Sequence, residues 1–304
     1  MKPAGDNIAL AILLTLTFCL LAPTADAMAK HLGAVMSVFA LVFIRFVAQA
    51  AILWPLAKAL GEPVHVPRDL RALVWARVIL HIAGIALMFT ALQFLPLADA
   101  LAIAYVMPFI AMALGALFLG EQVGPIRILI AGFGFLGTLL VIQPNFAQTG
   151  AMALLPLGVA VVFAGFFIVT RKIAAEIAPI ALQALNGAMG VLLLLPALGL
   201  GLLLDWPALQ IHWSADVSWS FVALFAITGT FAHLAMSWSL RYAPAATLAP
   251  ISYLEIPVAA GLGYWAFSDL PNGLALIGII ITVLAGLILI WRERAIAQRQ
   301  EAQP

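Results

Sequence analysis

The chain is a succession of apolar segments, each about as long as a bilayer is thick, and that excludes most folds at once. The segments run Asn7–Thr24, Val35–Leu56, Leu73–Phe94, Leu97–Leu119, Pro125–Ile142, Met152–Thr170, Ile180–Leu203, Val217–Leu240, Ala245–Phe267 and Gly273–Trp291. One spanning helix needs roughly 20 apolar residues. Ten of them use about two-thirds of the chain, leaving short loops and no room for a soluble catalytic domain. Soluble domains carry about 25 % charged residues. This chain carries 9 %, with 65 % hydrophobic residues, and cannot hide so much apolar surface in a water-soluble core. The expected fold is an all-α membrane protein of ten transmembrane helices. The breaks carry turn chemistry, at Gly61-Glu62-Pro63, Gly120-Glu121, Gln143-Pro144-Asn145, Asp205-Trp206-Pro207 and Pro271-Asn272-Gly273.

The basic residues give an orientation. With a cytoplasmic N-terminus, Lys2, Lys58, Arg68, Arg71, Arg171, Lys172, Arg241, Arg292, Arg294 and Arg299 fall on the inner side. Arg77 and Arg127 fall at cytoplasmic helix ends, Lys30 falls outside, and Arg45 lies within a span. Inner loops carry the excess of Lys and Arg, so both termini are expected in the cytoplasm. Trp54, Trp75, Trp206, Trp219, Trp265 and Trp291 lie near segment ends, where an interfacial aromatic belt sits. Lys2, the apolar run behind it and Ala25-Asp26-Ala27 also fit a cleavable leader. We read the segment as a retained first span, because its loss would leave nine helices and break the repeat described next.

Shifting residues 86–142 by 148 positions lays them on residues 234–290 without a gap. Pro96 meets Pro244, Ala98 meets Ala246, Ile103 meets Ile251 and Tyr105 meets Tyr253. Leu114-Gly115 meets Leu262-Gly263, and Glu121 meets Asp269. More weakly, Lys30 at the end of the first segment matches Lys172 at the end of the sixth. The chain divides into five-helix repeats over residues 7–142 and 152–291. Five is odd, so the second half enters the membrane from the opposite side. Such inverted repeats support two packings of similar energy, one open to each side.

Two five-helix halves, the stretch Ala245-Ala246-Thr247-Leu248-Ala249-Pro250, then Tyr253-Leu254-Glu255 and Phe267-Ser268-Asp269 resemble the EamA family of the drug/metabolite transporter superfamily. Within it, Asp26 with Lys30, Phe43-Ile44-Arg45-Phe46 and Tyr253-Leu254-Glu255 look like the bacterial S-adenosylmethionine uptake carriers, and riboflavin carriers look similar. The resemblance implies ten helices around a central cavity and secondary rather than ATP-driven transport. It places the chain in a bacterial inner membrane.

A charge at the bilayer centre costs roughly 2.5–3.5 kcal/mol, so such residues face a cavity or a partner. Arg45 has Gln49 one turn on, on the same face. The pair reads as a forked guanidinium contact to an anionic substrate group, or Arg45 as half of a structural ion pair. Glu255 lies midway along the ninth segment, between Tyr253 and Pro257. It reads as a holder of a cationic group or a proton carrier, or as the partner of Arg45 or Arg77. Arg77 and His81 share one face of the third segment, Arg77 near enough to the interface to snorkel. His81 and His233 read either as proton carriers or as buried neutral side chains. Asp26 and Lys30 share a face and read as a gate pair or an interfacial salt bridge. Tyr105 and Tyr253, as repeat equivalents, would flank a common axis and stack on a planar substrate, or simply pack.

The chain has no Walker loop, no His-Glu-x-x-His and no Gly-x-Ser-x-Gly, and its histidines, His31, His65, His81, His212 and His233, are scattered. No enzyme chemistry, metal or redox cofactor is expected. The net charge of +1 sits in short loops and gives no nucleic-acid patch. The single cysteine, Cys19, cannot form an intramolecular disulfide and reads as a small apolar residue. The expectation is a secondary carrier of a small zwitterionic or heteroaromatic metabolite, such as S-adenosylmethionine, riboflavin or an amino acid. Its partners would be the bilayer, the substrate and a coupling proton. An exporter in the same fold is the alternative; a lipid enzyme, a channel or a structural subunit fits less well. Direction and oligomeric state, a homodimer included, stay open.

Overall fold

A chain this apolar has one way to satisfy its backbone in lipid, and it takes it: helix after helix. The computed structural model describes residues 7–301 apart from 108, 111–112, 115–116, 118–123, 175, 244–247 and 249–250. Gly115, Gly120, Glu121, Pro244 and the stretch from Ala245 to Pro250 (Leu248 excepted) thus lie outside the described residues, as does Lys2.

Among the described residues the α-helices are α1 (Ile8–Leu32), α2 (Val38–Ala59), α3 (Arg71–Ala91), α4 (Leu97–Ala104) and α5 (Pro125–Thr149), then α6 (Leu155–Ile173), α7 (Pro179–Leu203), α8 (Trp219–Tyr242), α9 (Glu255–Phe267) and α10 (Gly273–Glu301). Capping follows sequence. Asn7 accepts from Leu10 N at 3.0 Å to start α1, and Ser37 accepts from Ala40 N at 3.2 Å to start α2. Among the described residues, six stretches are long and apolar enough to cross a membrane. One of them, Ile128–Ile173, is divided at Gly150, whose φ of 61° suits glycine.

Several boundaries depart from expectation; α10, for one, runs past Trp291 to Glu301. Helix α1 runs on to Leu32 instead of stopping near Thr24, because Asp26 and Lys30 find polar surroundings inside the protein. Helix α5 continues through Gln143-Pro144-Asn145, expected to be a turn, and ends at Thr149. Asn145 stays in the helix by donating from Nδ2 to Val141 O at 2.8 Å and to Asp99 Oδ2 of α4 at 2.9 Å.

Packing joins distant helices. The main partners are α1 with α8, α3 with α6, α2 with α7, α4 with α9 and α5 with α10. Small residues set the closest approaches. A Cβ on Gly137 of α5 would lie 2.7 Å from Gly278 O of α10. A Cβ on Gly187 of α7 would lie 2.6 Å from Ala50 N of α2. The α1–α2 and α7–α8 connections also meet, Ser37 N donating to His212 O and Ser214 N to Val35 O, each at 2.9 Å. The outer faces carry exposed Leu, Ile and Phe; Trp206, Trp219 and Trp265 stand exposed near helix ends, and Trp291 is exposed within α10, which runs on past it to Glu301. Cys19 is buried and its thiol donates to Ile251 O at 3.6 Å.

Candidate functional site

Helix α4 stops at Ala104 and Tyr105 caps it. Residues 107, 109 and 110 are helical again beyond a two-residue turn. The second half does the same: residues 251 and 252 are helical, Tyr253 and Leu254 turn, and α9 begins at Glu255. A proline explains the second break: Pro257 has no N–H to return to the carbonyl of Tyr253, four residues back. Glu255 therefore sits not mid-helix but on the first residue of α9, at the positive end of its dipole. Interrupted helices at mid-pass are where carriers build binding sites.

A cavity of about 80 Å³ lies at these breaks, and its polar lining is Asp26, Arg45, Tyr105, His233 and Glu255. Phe18, Phe89, Phe163 and Phe167 form the apolar wall. A ligand pocket spans roughly 300–1,000 Å³, so loading a ringed metabolite requires the helices to part. A wider cleft of about 880 Å³ between α2, α3 and α7 is lined without any charged residue, so the chemistry belongs to the smaller space.

Arg45 is 2 % exposed. Its Nη2 donates to Gly229 O at 2.7 Å and to His233 Nδ1 at 2.8 Å, while Nε and Nη1 have no hydrogen-bond partner. Both forked edges of a guanidinium include Nη2, so the expected two-pronged contact is not on offer in this arrangement. Single contacts through Nε or Nη1 are. No ion pair joins Arg45 or Arg77 to Glu255, whose Oε1 has no hydrogen-bond partner. The guanidinium is seated over Gly229, where a Cβ would overlap it. Gly229→Ala is expected to push Arg45 off its two acceptors. Apparent affinity for any exchanged anionic or zwitterionic compound should then fall at least ~10-fold with the fold intact, since a charge-assisted bond contributes about 1.5–3 kcal/mol. Binding titrations on the purified variant read this.

Two expected substrate residues lie outside the cavity. Gln49 donates from Nε2 to Gln183 O at 2.7 Å and to Gln183 Oε1 at 3.1 Å. Tyr253 packs behind Tyr105, ring centroids 5.2 Å apart, against the Cβ-less surface of Gly286. It cannot stack on a ligand without moving.

Arg77 does not snorkel. It is fully buried, with Nε donating to Thr170 Oγ1 (2.9 Å), Nη1 to Asn186 Oδ1 (2.7 Å), and Nη2 to Gln183 Oε1 (3.2 Å) and Ser237 Oγ (3.1 Å). Its guanidinium carbon stands 4.6 Å from the Phe166 ring centre. One cation thus ties α3, α6, α7 and α8 through neutral acceptors alone. Sequence reading missed Thr170, Gln183, Asn186 and Ser237; the available signal was amides and hydroxyls inside apolar segments, with Gln183 and Asn186 three apart on one helix face.

The bonds fix the histidines. Guanidinium only donates, so His233 Nδ1 accepts from Arg45 and the ring proton belongs on Nε2. Asn186 Oδ1 is engaged by Arg77, so its Nδ2 donates to His81 Nδ1 at 2.7 Å. The two rings lie 4.5 Å apart. A polar ladder therefore runs from Arg45 through His233 and His81 to Asn186 and Arg77.

Lys30 pairs with Asp269 rather than Asp26, at 2.9 Å, and donates to Leu95 O at 2.8 Å, its ammonium 5.1 Å from the Phe267 ring centre. It ties the end of α1 to the segments before α4 and after α9. Asp26, a turn earlier, looks into the cavity instead. One helix face thus serves two separate sites.

Comparison with known proteins agrees with this architecture. A model of the EamA-like transporter family matches residues 9–143 and again 150–292. The chain is 23 % identical over 288 residues to an S-adenosylmethionine uptake transporter of Rickettsia prowazekii, covering 91 % of this chain and 92 % of that one. It is 28 % identical over 201 residues to a riboflavin transporter of Brucella anthropi, covering 64 % and 68 %. It is 24 % identical over 285 residues to a pseudopaline exporter of Pseudomonas aeruginosa, covering 93 % and 95 %. A solved crystal structure shares the fold at a TM-score of 0.69 and 22 % identity, covering 94 % of this chain and 98 % of that one. The chain belongs to the EamA-like transporter family and is a multi-pass membrane transporter of small metabolites.

Proposed function

We propose that the chain is a secondary, alternating-access carrier with ten spans in two inverted repeats, residues 7–142 and 152–291, both termini cytoplasmic in a bacterial inner membrane. The observation that supports this most is the pairing of its helices. Exchange each helix for the one five places away: α1 with α8 becomes α6 with α3, while α2–α7, α4–α9 and α5–α10 return themselves. Thr282 Oγ1 even approaches Gly134 O, its own equivalent one repeat earlier, at 3.4 Å. A pseudo-two-fold axis between halves has this signature, and inverted halves can trade roles to open either side.

On this reading the Arg77 cage closes the cytoplasmic half and the Lys30–Asp269 pair closes the outer half, with the cavity between them. Asp26 and Glu255 are the acids placed to carry a coupling proton. The relatives named for S-adenosylmethionine and riboflavin uptake make those compounds candidate substrates, with amino acids. The exporter relative supports the opposite direction in the same fold, and the gradient decides. Counterflow in proteoliposomes tests the carrier reading: saturable, trans-stimulated uptake of a labelled candidate is the expected result, and flux that neither saturates nor responds to trans substrate sinks it.

The outer pair gives its own prediction. Lys30→Asp and Asp269→Lys are each expected to lower counterflow several-fold, and the combined exchange to restore most of it. An exposed salt bridge with no gating role would contribute only about 0–1 kcal/mol and would leave transport near wild type in all three variants.

A further inference from the structure

We infer that the cleft between α2, α3 and α7 binds one acyl chain of a bilayer phospholipid, which enters sideways between α3 and α7 and leaves its headgroup outside. This surface is apart from the central cavity, and the inference does not depend on the carrier reading. Helices α3 and α7 meet at the Arg77 cage, where Arg77 reaches Asn186 and Gln183. Beyond it they part. The opening, about 880 Å³, has Ala86 and Thr90 of α3 and Leu194 and Ala197 of α7 as walls, and the buried Phe39 and Val42 of α2 as floor. Its far end is roofed by Pro207–Leu209. That connection is held to α2 by the Ser37 hydroxyl, which donates to Gln210 O and accepts from His212 N.

The second repeat builds the same opening and fills it. Helices α2 and α8 meet where Arg45 reaches Gly229 O. Under the 148-residue shift, Ala86 and Thr90 correspond to Leu234 and Trp238. Leu234 and Trp238 of α8 pack with Leu53 and Ala57 of α2 and with Ile180 and Ala184 of α7. This is the cleft's arrangement with each helix exchanged for the one five places away. An alanine and a threonine leave open at one end what a leucine and a tryptophan close at the other.

The surroundings select the occupant. Left empty, an opening this wide forfeits dispersion contacts along every wall. Water is a poor filler: none of the lining residues is charged, and apolar cavities stay dry and take up hydrocarbon ligands. The medium beside exposed Ile79 of α3 and Leu195 of α7 is lipid, whose chains are as apolar as leucine. The volume is that of a small-ligand site, roughly 300–1,000 Å³. With no Lys or Arg in the lining, nothing there holds a phosphate, so the site selects a tail and not a headgroup.

The test uses the full-length chain in nanodiscs of phosphatidylcholine that carries a photoactivatable diazirine midway along one acyl chain. Cross-links are mapped by mass spectrometry. Phe39 and Val42 should be labelled although both are buried, together with Thr90 and Ala197. Thr90→Trp copies the residue of the other repeat. It should cut labelling of Phe39 and Val42 several-fold and leave that of the exposed Leu129 and Leu136 of α5 unchanged. Ala86→Leu takes its place if that variant does not fold. The same tail on phosphatidylglycerol should label the floor equally. An unlabelled floor in the unaltered chain overturns the assignment, and so does floor labelling that the folded, filled variant leaves unchanged. Labelling of the floor by a small free aryl diazirine but not by the acyl chain would give the cleft to a compact apolar solute instead. A strong preference for phosphatidylglycerol would overturn recognition by the tail alone.

Discussion

Arg77→Ala is expected to lower stability by about 3 kcal/mol. Four acceptors, on Thr170, Asn186, Gln183 and Ser237, lose their donor together. An orphaned buried polar group costs about 1–3 kcal/mol. Relief from burying a cation offsets part of that sum, and partial entry of water offsets more, which is why the net figure sits near the low end. Arg77→Lys should recover only part, because an ammonium offers three donors from one point where the guanidinium spreads five around a plane. Thermal unfolding of the purified variants in detergent reads both. A Tm for Arg77→Ala within error of wild type would mean that the cage does not hold the four helices together.

Gly187→Val is the second large effect. The Cβ it adds would press on Ala50 N at 2.6 Å and Ala50 Cα at 3.0 Å. Those are backbone atoms of α2 and cannot rotate away, so the α2–α7 pair must separate. Overpacking of this kind costs about 1–3 kcal/mol. Displacing α2 also moves Arg45, one turn before Gln49, so counterflow should fall further than the melting temperature suggests. Gly132→Ala makes the control: a Cβ there meets nothing within 4 Å, and the variant should melt and transport like wild type.

The sequence carried the helices well, because apolar segments of bilayer length leave little choice of form. It carried the polar sites unevenly. Arg45 and Glu255 stood out as charges inside apolar segments, and both do line the cavity. Their partners did not stand out. Spacing along one helix put Asp26 beside Lys30, yet the second charge that Lys30 meets comes from Asp269 on another part of the chain. Periodicity on one helix cannot state which helix faces it. Arg77 was misread for a related reason. Nearness to a segment end suggested an escape to the interface, whereas four hydroxyl and amide groups from three other helices meet it where it stands. Glu255 lies midway along an apolar segment of spanning length, and hydropathy alone does not reveal that the helix breaks inside it, so that α9 begins at Glu255.

The buried thiol of Cys19 has a practical reach. It is the chain's only sulfhydryl, 2 % exposed and turned toward the Ile251 carbonyl. Thiols react from the solvent-accessible thiolate, so a water-borne maleimide finds nothing to modify in the intact protein. Every cysteine introduced at Lys30, Asp269 or Ser237 would be the sole reactive handle. Opening on either side of the bilayer can therefore be followed by alkylation rate without first altering the native chain.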